Sequence, residues 1–336
     1  MTLKIHIQLT PLIKWKTGKN REMVHLRKVL IIADPGVDDA FAIMYALLHP
    51  EIEVVGIVAE YGNVSQEIAL RNTAYLLQLA NKSDIPMIKG ADKPLTGTNP
   101  EFFFDIHGAH GLGEIIPGVQ TPDHERFQRV YELIHTYGKD LTIINLSRLT
   151  SLALTYIQSE SNIDKAGDVY VMGGAFFVPG NRTPIAEANI YGDPQAAKIV
   201  AAHGENVTFV PLNISNRAVI PLDTIKKVAV ENDTPFSKII YPIMDYYSNQ
   251  YESIIPGIDG APLHDVTLFS YLMNPKDYKV VERQVSVNAI GPSKGLTYAD
   301  FRPAPDFIED YPMHNIIIDF NREAFIKDFV RIMTSN

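Results

Sequence analysis

The sequence predicts an α/β protein with a mostly parallel open sheet, helices on both faces and a small antiparallel C-terminal portion. Short apolar segments of the buried-strand type alternate with amphipathic helical segments over most of the chain. Residues 280–320 show instead the polar and apolar alternation of antiparallel strands. There is no internal repeat and no low-complexity linker, so we predict a single domain over residues 28–336.

The first half of the chain is predicted to form a Rossmann-like core. An apolar strand at 29–32 leads into turn residues and a helix. The next strand and helix cover 53–59 and 67–80, and a short strand covers 86–90. Residues 91–124 are rich in glycine, proline and aromatic residues. A loop of this length is usually functional or disordered, and the aromatic residues favour a function.

The alternation continues in the second half of the chain. The predicted strands are 141–146, 169–172 and 207–211. The predicted helices are one that ends near Gln158, one that begins at Asp193-Pro194, 236–251, one that ends near Leu272, and 322–333. A glycine pair follows the strand at 169–172 and lets the backbone approach another group closely.

The composition excludes several classes of protein. The chain has 336 residues, of which 46% are hydrophobic and 21% charged, and a formal net charge of -9. This charge argues against a nucleic-acid-binding surface, because no basic field is available to offset phosphate. The lack of cysteine excludes disulfides, thiolate zinc sites and cysteine nucleophiles. A metal must therefore be held by oxygen or imidazole ligands.

Residues 1–27 are predicted to form a flexible N-terminal extension. They are basic, and their apolar stretch is interrupted by His6, Gln8, Thr10 and Pro11, which is too broken a pattern for a signal peptide. No apolar run reaches membrane-spanning length. We therefore expect a cytoplasmic protein that binds neither membranes nor nucleic acids.

Three carboxylates lie close together where the first predicted strand gives way to a helix. They are Asp34, Asp38 and Asp39. Acidic residues are common in a first helical turn, since they face the positive end of the helix dipole. Three of them in six residues repel one another unless they are solvated, protonated or bridged by a cation. Oxygen ligands at this density suit Ca²⁺ or Mg²⁺, and a solvated acidic turn is the alternative.

Polar residues recur near the carboxyl ends of the other predicted strands. In an open parallel sheet these ends meet at the edge where ligands bind. The residues are Asn63, Leu146-Ser147, Met172-Gly173 and, in the loop 176–189, Asn181, Glu187 and Asn189. Taken singly, several have an ordinary explanation. Asn63 suits a turn, His107 and His110 could pack a loop, Glu187 could be solvated, and Asp265 could cap a helix.

A series of motifs nevertheless runs in order from about Lys28 to the C-terminus. The motifs are Asp34-Pro35-Gly36-Val37-Asp38-Asp39-Ala40, Gly62-Asn63, His107-Gly108 with Gly111-Leu112, Met172-Gly173-Gly174, Asn181, Glu187-Ala188-Asn189, Asp193-Pro194 and Pro262-Leu263-His264-Asp265. Together they resemble the calcium-dependent nucleoside hydrolase family, the inosine-uridine preferring nucleoside N-ribohydrolases. The series is far more specific than any single motif in it.

The resemblance implies a metal site and a reaction. Ca²⁺ would be held by Asp34, Asp39, Asp265 and a main-chain carbonyl, that of Leu146. A water on the metal would attack the anomeric carbon of a ribonucleoside after Asp34 takes its proton. The transition state would be oxocarbenium-like, as in glycoside hydrolysis generally, and the products would be ribose and a free base.

The resemblance also implies residues that bind the substrate. The ribose hydroxyls would be held by Asp38, Asn63, Asn181, Glu187 and Asn189, and Met172 would also contact the substrate. His264 would donate a proton to the leaving base, with help from His107. Members of the family form homodimers or homotetramers, and we expect the same here.

The chain departs from the family pattern at several positions. Ile32 replaces a second acid, Ser147-Arg148 replaces Gly-Pro, and Asn213 replaces a common Asp. One additional residue separates Met172 from Asn181. The only tryptophan is Trp15, outside the matched region, which favours an inosine-uridine or pyrimidine-leaning enzyme over one that stacks purines between tryptophans.

Two other functions are compatible with parts of the sequence. A nucleoside- or ribose-binding protein with lost hydrolase activity would explain Ile32. A Mg²⁺-dependent phosphohydrolase would use Asp34 as nucleophile, but enzymes of that design place a second acid two residues later, where this chain has Gly36.

Overall fold

A computed structural model describes residues 26–120, 123–158, 163–231, 233–307 and 310–335. The extension predicted at 1–27 lies outside these residues, apart from Leu26 and Arg27. No helix in the described ranges combines the length and apolar character needed to cross a bilayer.

The strands, with their bounds, are β1 Arg27–Ala33, β2 Ile52–Ala59, β3 Met87–Lys89, β4 Leu141–Asn145, β5 Val169–Met172, β6 Val207–Val210, β7 Val219–Ile220, β8 Ala261–Pro262, β9 Tyr278–Arg283, β10 Ser286–Val287, β11 Thr297–Tyr298 and β12 His314–Phe320. The α-helices are α1 Val37–Leu48, α2 Gln66–Leu79, α3 Phe104–His107, α4 Gln128–Tyr137, α5 Thr150–Gln158, α6 Ala188–Gly192, α7 Pro194–His203, α8 Leu212–Ser215, α9 Leu222–Glu231, α10 Ser237–Ile254, α11 Val266–Met273 and α12 Arg322–Met333.

The main sheet has eight strands in the order β3-β2-β1-β4-β5-β6-β12-β9. All neighbouring pairs are parallel except β12 with β9. The chain builds the sheet outward from β1 to β3, then returns to place β4 on the other side of β1. The order therefore reverses between β1 and β4, and ligands bind at such a point in open α/β sheets.

Strand β1 shows how the sequence fixes this covered sheet. Val29 and Ile31 pack into the apolar core on one face, and Leu30 and Ile32 pack into the core on the other. A strand buried on both faces must be apolar at consecutive positions, as this one is. The predicted α/β architecture, mostly parallel with helices on both faces, is confirmed.

The C-terminal portion contains the predicted antiparallel strands. β9 runs antiparallel to β12, and β10 runs antiparallel to β11. β12 also pairs in parallel with β6 and so joins the main sheet. The predicted antiparallel C-terminal portion is confirmed, and the parallel pairing of β12 with β6 attaches it to the main sheet.

Candidate active site

A cavity of about 530 Å³ lies where the sheet order reverses. Its walls come from residues that follow β2, β4 and β5, from the start of α1, and from α10 and the turn before α11. The residues predicted from the sequence that line it are Asp38, Asn63, His107, Leu146, Met172, Asn181, Glu187, Asn189, His264 and Asp265. The predicted residues Asp34 and Asp39 lie just behind this lining, bonded to Asn63.

The turn from β1 into α1 places three of the carboxylates. Asp39 lies in the first turn of α1, and its carboxylate accepts hydrogen bonds from the backbone N–H groups of Asp34 (3.2 Å) and Gly36 (3.1 Å). These bonds satisfy donors that the helix start leaves free. Asp38 precedes Asp39 in the same turn and lines the cavity. The short spacing seen in the sequence is therefore what brings the acids together.

Asn63 joins this acidic turn to the neighbouring strand. Its backbone N–H donates to Asp34 (2.5 Å), and its side-chain amide donates to Asp39 (2.9 Å). A Cβ on Gly62 would lie 1.6 Å from the Asp34 carboxylate, so only glycine permits this approach. Asn63 is thus more than a turn residue, since its side chain connects the acidic turn with the cavity.

Asp265 completes the acidic group from the other end of the chain. Oxygen atoms of Asp38, Asp39 and Asp265 lie within 4.8 Å of one another. Asp265 makes no side-chain capping bond to α11, so the ordinary explanation as a helix cap does not hold. The sequence prediction named Asp34 as a ligand beside Asp39 and Asp265, whereas the third member of this close group is Asp38.

The acidic group is buried and short of positive charge. Burial, and then the neighbouring Asp39, raise the pKa of Asp34 and of Asp38 well above the usual range. Burial, and then the charge of Asp38, raise the pKa of Asp265 well above the usual range. Oδ1 of Asp34 and Oδ1 of Asp38 are buried without a hydrogen-bond partner. Buried carboxylate oxygens that repel one another and lack donors fit a divalent cation, which would supply the missing charge.

The opposite part of the cavity is suited to a polyhydroxylated ligand. The side-chain amide of Asn189 donates to the carbonyls of Leu146 (2.8 Å) and Met172 (3.2 Å), which fixes its orientation. Glu187 is 1% exposed, which rules out the alternative that it is a solvated acid. Its carboxylate accepts the backbone N–H groups at the start of α6. Burial raises the pKa of Glu187 to about 7.

Both predicted histidines border the cavity, in different surroundings. Nδ1 of His107 accepts the N–H of Val37 (3.0 Å), which leaves the proton on Nε2. Nδ1 and Nε2 of His264 lie 2.9 Å from Ser215 Oγ and 3.0 Å from the Tyr251 hydroxyl. Burial lowers the pKa of His107 to about 3 and that of His264 to about 4. Both imidazoles are therefore neutral near pH 7.

Two tyrosines of α10 were missed by the sequence prediction. Tyr247 and Tyr251 line the cavity, and their rings are 4.9 Å apart at 72°. The Tyr247 ring also lies 5.5 Å from that of His107. Their spacing of four residues puts both on one helix face, which is a signal in the sequence. An aromatic pair with this spacing is equally typical of a core helix, so the spacing alone could not assign a site.

The comparisons with known proteins decide the family. Residues 29–327 match the model of the inosine-uridine preferring nucleoside hydrolases. The chain belongs to the nucleoside hydrolase family. It is 33% identical over 276 residues to uridine nucleosidase 1 of Arabidopsis thaliana, covering 81% of this chain and 82% of that one. It is 32% identical over 303 residues to the pyrimidine-specific ribonucleoside hydrolase RihA of Klebsiella pneumoniae, covering 89% and 95%.

The solved structures agree. The plant nucleoside hydrolase PpNRh1 superimposes with a TM-score of 0.86 at 30% identity, covering 92% of this chain and 99% of that one. The resemblance inferred from the motifs is confirmed, and with it the reaction. The protein is a nucleoside N-ribohydrolase that cleaves ribonucleosides to ribose and a free base.

Proposed function

We propose that the acidic group holds Ca²⁺ and that the hydrolysis depends on it. The ligands would be carboxylates of Asp34, Asp39 and Asp265 with the carbonyl of Leu146, and Asp38 belongs to the same acidic group. When bound, the cation would make a coordinated water more acidic and would orient the ribose hydroxyls. The unpartnered, buried oxygens of Asp34 and Asp38 are the observation that supports a cation there.

Asp34 acts as the general base in this proposal. Its Oδ2 is held by the N–H of Asn63, whereas its Oδ1 has no partner and can accept a proton. Asp34 takes that proton from the water that attacks the anomeric carbon. The bond from this carbon to the base nitrogen breaks, its electron pair leaves with the base, and the ribosyl group passes through an oxocarbenium-like state.

The ribose hydroxyls are bound by the polar residues that surround the acidic group. They are Asp38, Asn63, Asn181, Glu187 and Asn189, and Met172 adds a contact from the end of β5. Several of these side chains are already fixed by hydrogen bonds to the main chain, as with Asn189 and Asn181. A site arranged before the substrate arrives spends less of the binding free energy on its own ordering.

His264 supplies the proton that the leaving base needs. Its Nε2 is paired with the hydroxyl of Tyr251, and burial raises the pKa of that hydroxyl, so it stays protonated. The pair passes one proton to the base nitrogen as the bond to the anomeric carbon breaks, and a proton from solvent restores the pair before the next turnover. His107, on the other side of Tyr247, assists from α3.

The preferred substrates are uridine and inosine, with a leaning toward pyrimidines. The base would lie against Phe103, Ile106, Tyr251 and the isoleucines at the end of α10, which line the cavity. No tryptophan lines the cavity within the described ranges. The names of the uridine and pyrimidine-specific relatives point the same way.

We further propose that residues 28–336 form a single domain and that the protein is a homodimer or homotetramer in the cytoplasm. Light scattering coupled to size exclusion measures the oligomeric state directly. A monomer at micromolar concentration would contradict the proposal.

Release of reducing sugar from inosine, adenosine, guanosine, uridine and cytidine tests the proposed function. We expect release that is fastest with uridine or inosine, falls after chelation, and returns when Ca²⁺ is added. Asp34→Asn should lower it by at least about 10³-fold, and Asp84→Asn, which changes an exposed acid outside the cavity lining, should not. Binding of nucleoside and Ca²⁺ without any release would instead identify a binding protein.

A further inference from the structure

One basic residue lies deep in the protein beside the acidic site. Arg148 is 3% exposed and is the only lysine or arginine that is buried among the described residues. It stands directly after β4, in the pair that replaces the Gly-Pro of the family pattern. Burying a guanidinium is unfavourable unless the surrounding groups compensate for the lost hydration, so the contacts of Arg148 indicate what it does.

The contacts of Arg148 are two aromatic rings and one carbonyl. Its guanidinium carbon lies 5.1 Å from the ring centre of Tyr61 and 5.6 Å from that of Phe103. Its Nη2 donates to the carbonyl of Glu101 at 2.6 Å. Two of these three partners, Glu101 and Phe103, belong to residues 101–107, which we call the cover segment.

The cover segment leads directly into the site. The N–H of Phe103 donates to the carbonyl of Asn63 (2.9 Å), and the Phe103 carbonyl accepts the N–H groups of Ile106 and His107 (3.0 Å each). Phe103, Ile106 and His107 all line the cavity. The ring and the carbonyl that Arg148 contacts thus lie at the base of the turn that presents His107.

The fold leaves specific room for the Arg148 side chain. A Cβ on Gly192, at the end of α6, would lie 2.3 Å from Nε and 2.4 Å from Cδ of Arg148. The stem of Arg148 therefore packs on bare backbone, beside the helix that carries Asn189. The glycine at position 192 therefore leaves the space that the long Arg148 side chain occupies.

We propose that Arg148 is a positioning residue that holds the cover segment over the cavity through the carbonyl of Glu101 and the ring of Phe103. The planar guanidinium can stack and donate at the same time, which an ammonium group cannot. The effect on turnover rests on the proposed function, whereas the ordering of the cover segment does not.

The first test compares Arg148→Met, Arg148→Lys and the matched control Arg129→Met, which removes a partly exposed arginine of α4 that pairs with Glu132. When the cover segment is loosened, only a fraction of the molecules is competent to bind, so KM rises by the reciprocal of that fraction while kcat changes less. We expect a KM for uridine raised roughly tenfold in both Arg148 variants, with kcat within about threefold. Arg129→Met should match the wild type.

Arg148→Lys separates positioning from charge. If Arg148 acts only by its positive charge near Asp34 and Glu187, lysine should restore the wild-type KM, and the proposal is then wrong. If both kcat and the free energy of unfolding fall while KM stays unchanged, Arg148 has a merely structural role. That result would also overturn the proposal.

Hydrogen exchange gives a readout that needs no turnover. The amides of Ile106 and His107 should exchange at least about tenfold faster in Arg148→Met than in the wild type or Arg129→Met. Unchanged exchange at these amides overturns the inference even if the enzyme is active. If the wild type releases no ribose but Arg148→Met still exchanges faster at these amides, the inference stands and the proposed function is rejected.

Gly192→Ala supplies an independent variant. Its methyl group should displace the Arg148 side chain and so raise KM and amide exchange, as Arg148→Met does. Arg148→Ala removes the whole stem that meets Gly192, so the double variant Gly192→Ala with Arg148→Ala should be no worse than Arg148→Ala alone. Additive effects would show that Gly192 and Arg148 act separately and would contradict the account.

Discussion

The two sides of the cavity are built in different ways. The floor comprises Asp34, Asp38, Asp39 and Asn63, which follow two adjacent strands. Main-chain N–H groups and the Asn63 amide hold the carboxylates of Asp34 and Asp39. The wall comprises Tyr247, Tyr251 and His264, which come from α10 and the turn before α11. The floor is a cluster of buried acids, whereas the wall is a row of neutral aromatic and imidazole groups. The difference suggests that the floor activates water and the wall serves the leaving base.

The floor should carry the largest effect on catalysis. Asp34→Asn keeps the shape of the side chain and removes its ability to take a proton. Since a general base contributes up to about 10⁴-fold, we expect kcat/KM for uridine to fall by at least about 10³-fold. Steady-state kinetics with excess Ca²⁺ measure this, and circular dichroism checks the fold. A loss below tenfold would remove Asp34 from the role of base.

Much of the floor could be predicted from the sequence because it is local. Asp34, Asp38 and Asp39 lie in six residues at a strand-to-helix turn, and Asn63 follows the adjacent strand in a parallel sheet. The spacing and the sheet rule together place these side chains at one edge.

The wall could not be predicted in this way. The helix at α10 was expected, but its apolar pattern does not say that Tyr247 and Tyr251 face a cavity. Their position depends on how α10 packs against elements far away in the sequence. The partners of Arg148 were hidden for the same reason, since Tyr61, Phe103 and Gly192 come from three separate segments.

A buried acid behind the floor should make the stability depend on pH. Glu60 accepts hydrogen bonds from Ser147 Oγ (2.6 Å) and the N–H of Ser151 (2.9 Å), and burial raises its pKa to about 7. Between pH 4.5 and pH 7 the folded state therefore keeps a proton on Glu60 that the unfolded state has lost. The contribution of this proton to the free energy of unfolding is fully present below pH 4.5 and is lost as the pH rises through 7. We expect it to reach up to about 3 kcal/mol.

Urea unfolding of Glu60→Gln measures this contribution. The free energy of unfolding of Glu60→Gln relative to the wild type should rise from pH 4.5 to pH 8, with chelator present in both samples. A difference that stays constant over this range would mean that Glu60 does not titrate as described.

The wall should show a smaller effect that depends on the leaving group. His264→Ala removes the imidazole paired with Tyr251, and a general acid contributes at least about 10²-fold. We expect kcat/KM for uridine to fall by about 10²-fold while Ca²⁺ affinity, measured by calorimetry, stays unchanged. A matching loss of Ca²⁺ affinity would place His264 with the floor instead.

Tyr251→Phe should have the smallest effect. It removes one hydroxyl and keeps the ring that packs on Tyr247. Loss of a single neutral hydrogen bond corresponds to about 1 kcal/mol, so we expect roughly a fivefold drop in kcat/KM for uridine. An effect as large as that of His264→Ala would make Tyr251 the direct proton donor.

The division between floor and wall is tested most directly with two substrates. Uridine needs a proton on its leaving base, whereas p-nitrophenyl riboside releases a stable anion and does not. The ratio of kcat/KM for uridine to that for p-nitrophenyl riboside should be unchanged in Asp34→Asn and should fall at least about tenfold in His264→Ala. If the ratio changes equally in both variants, the assignment of water activation to the floor and of the leaving base to the wall is wrong.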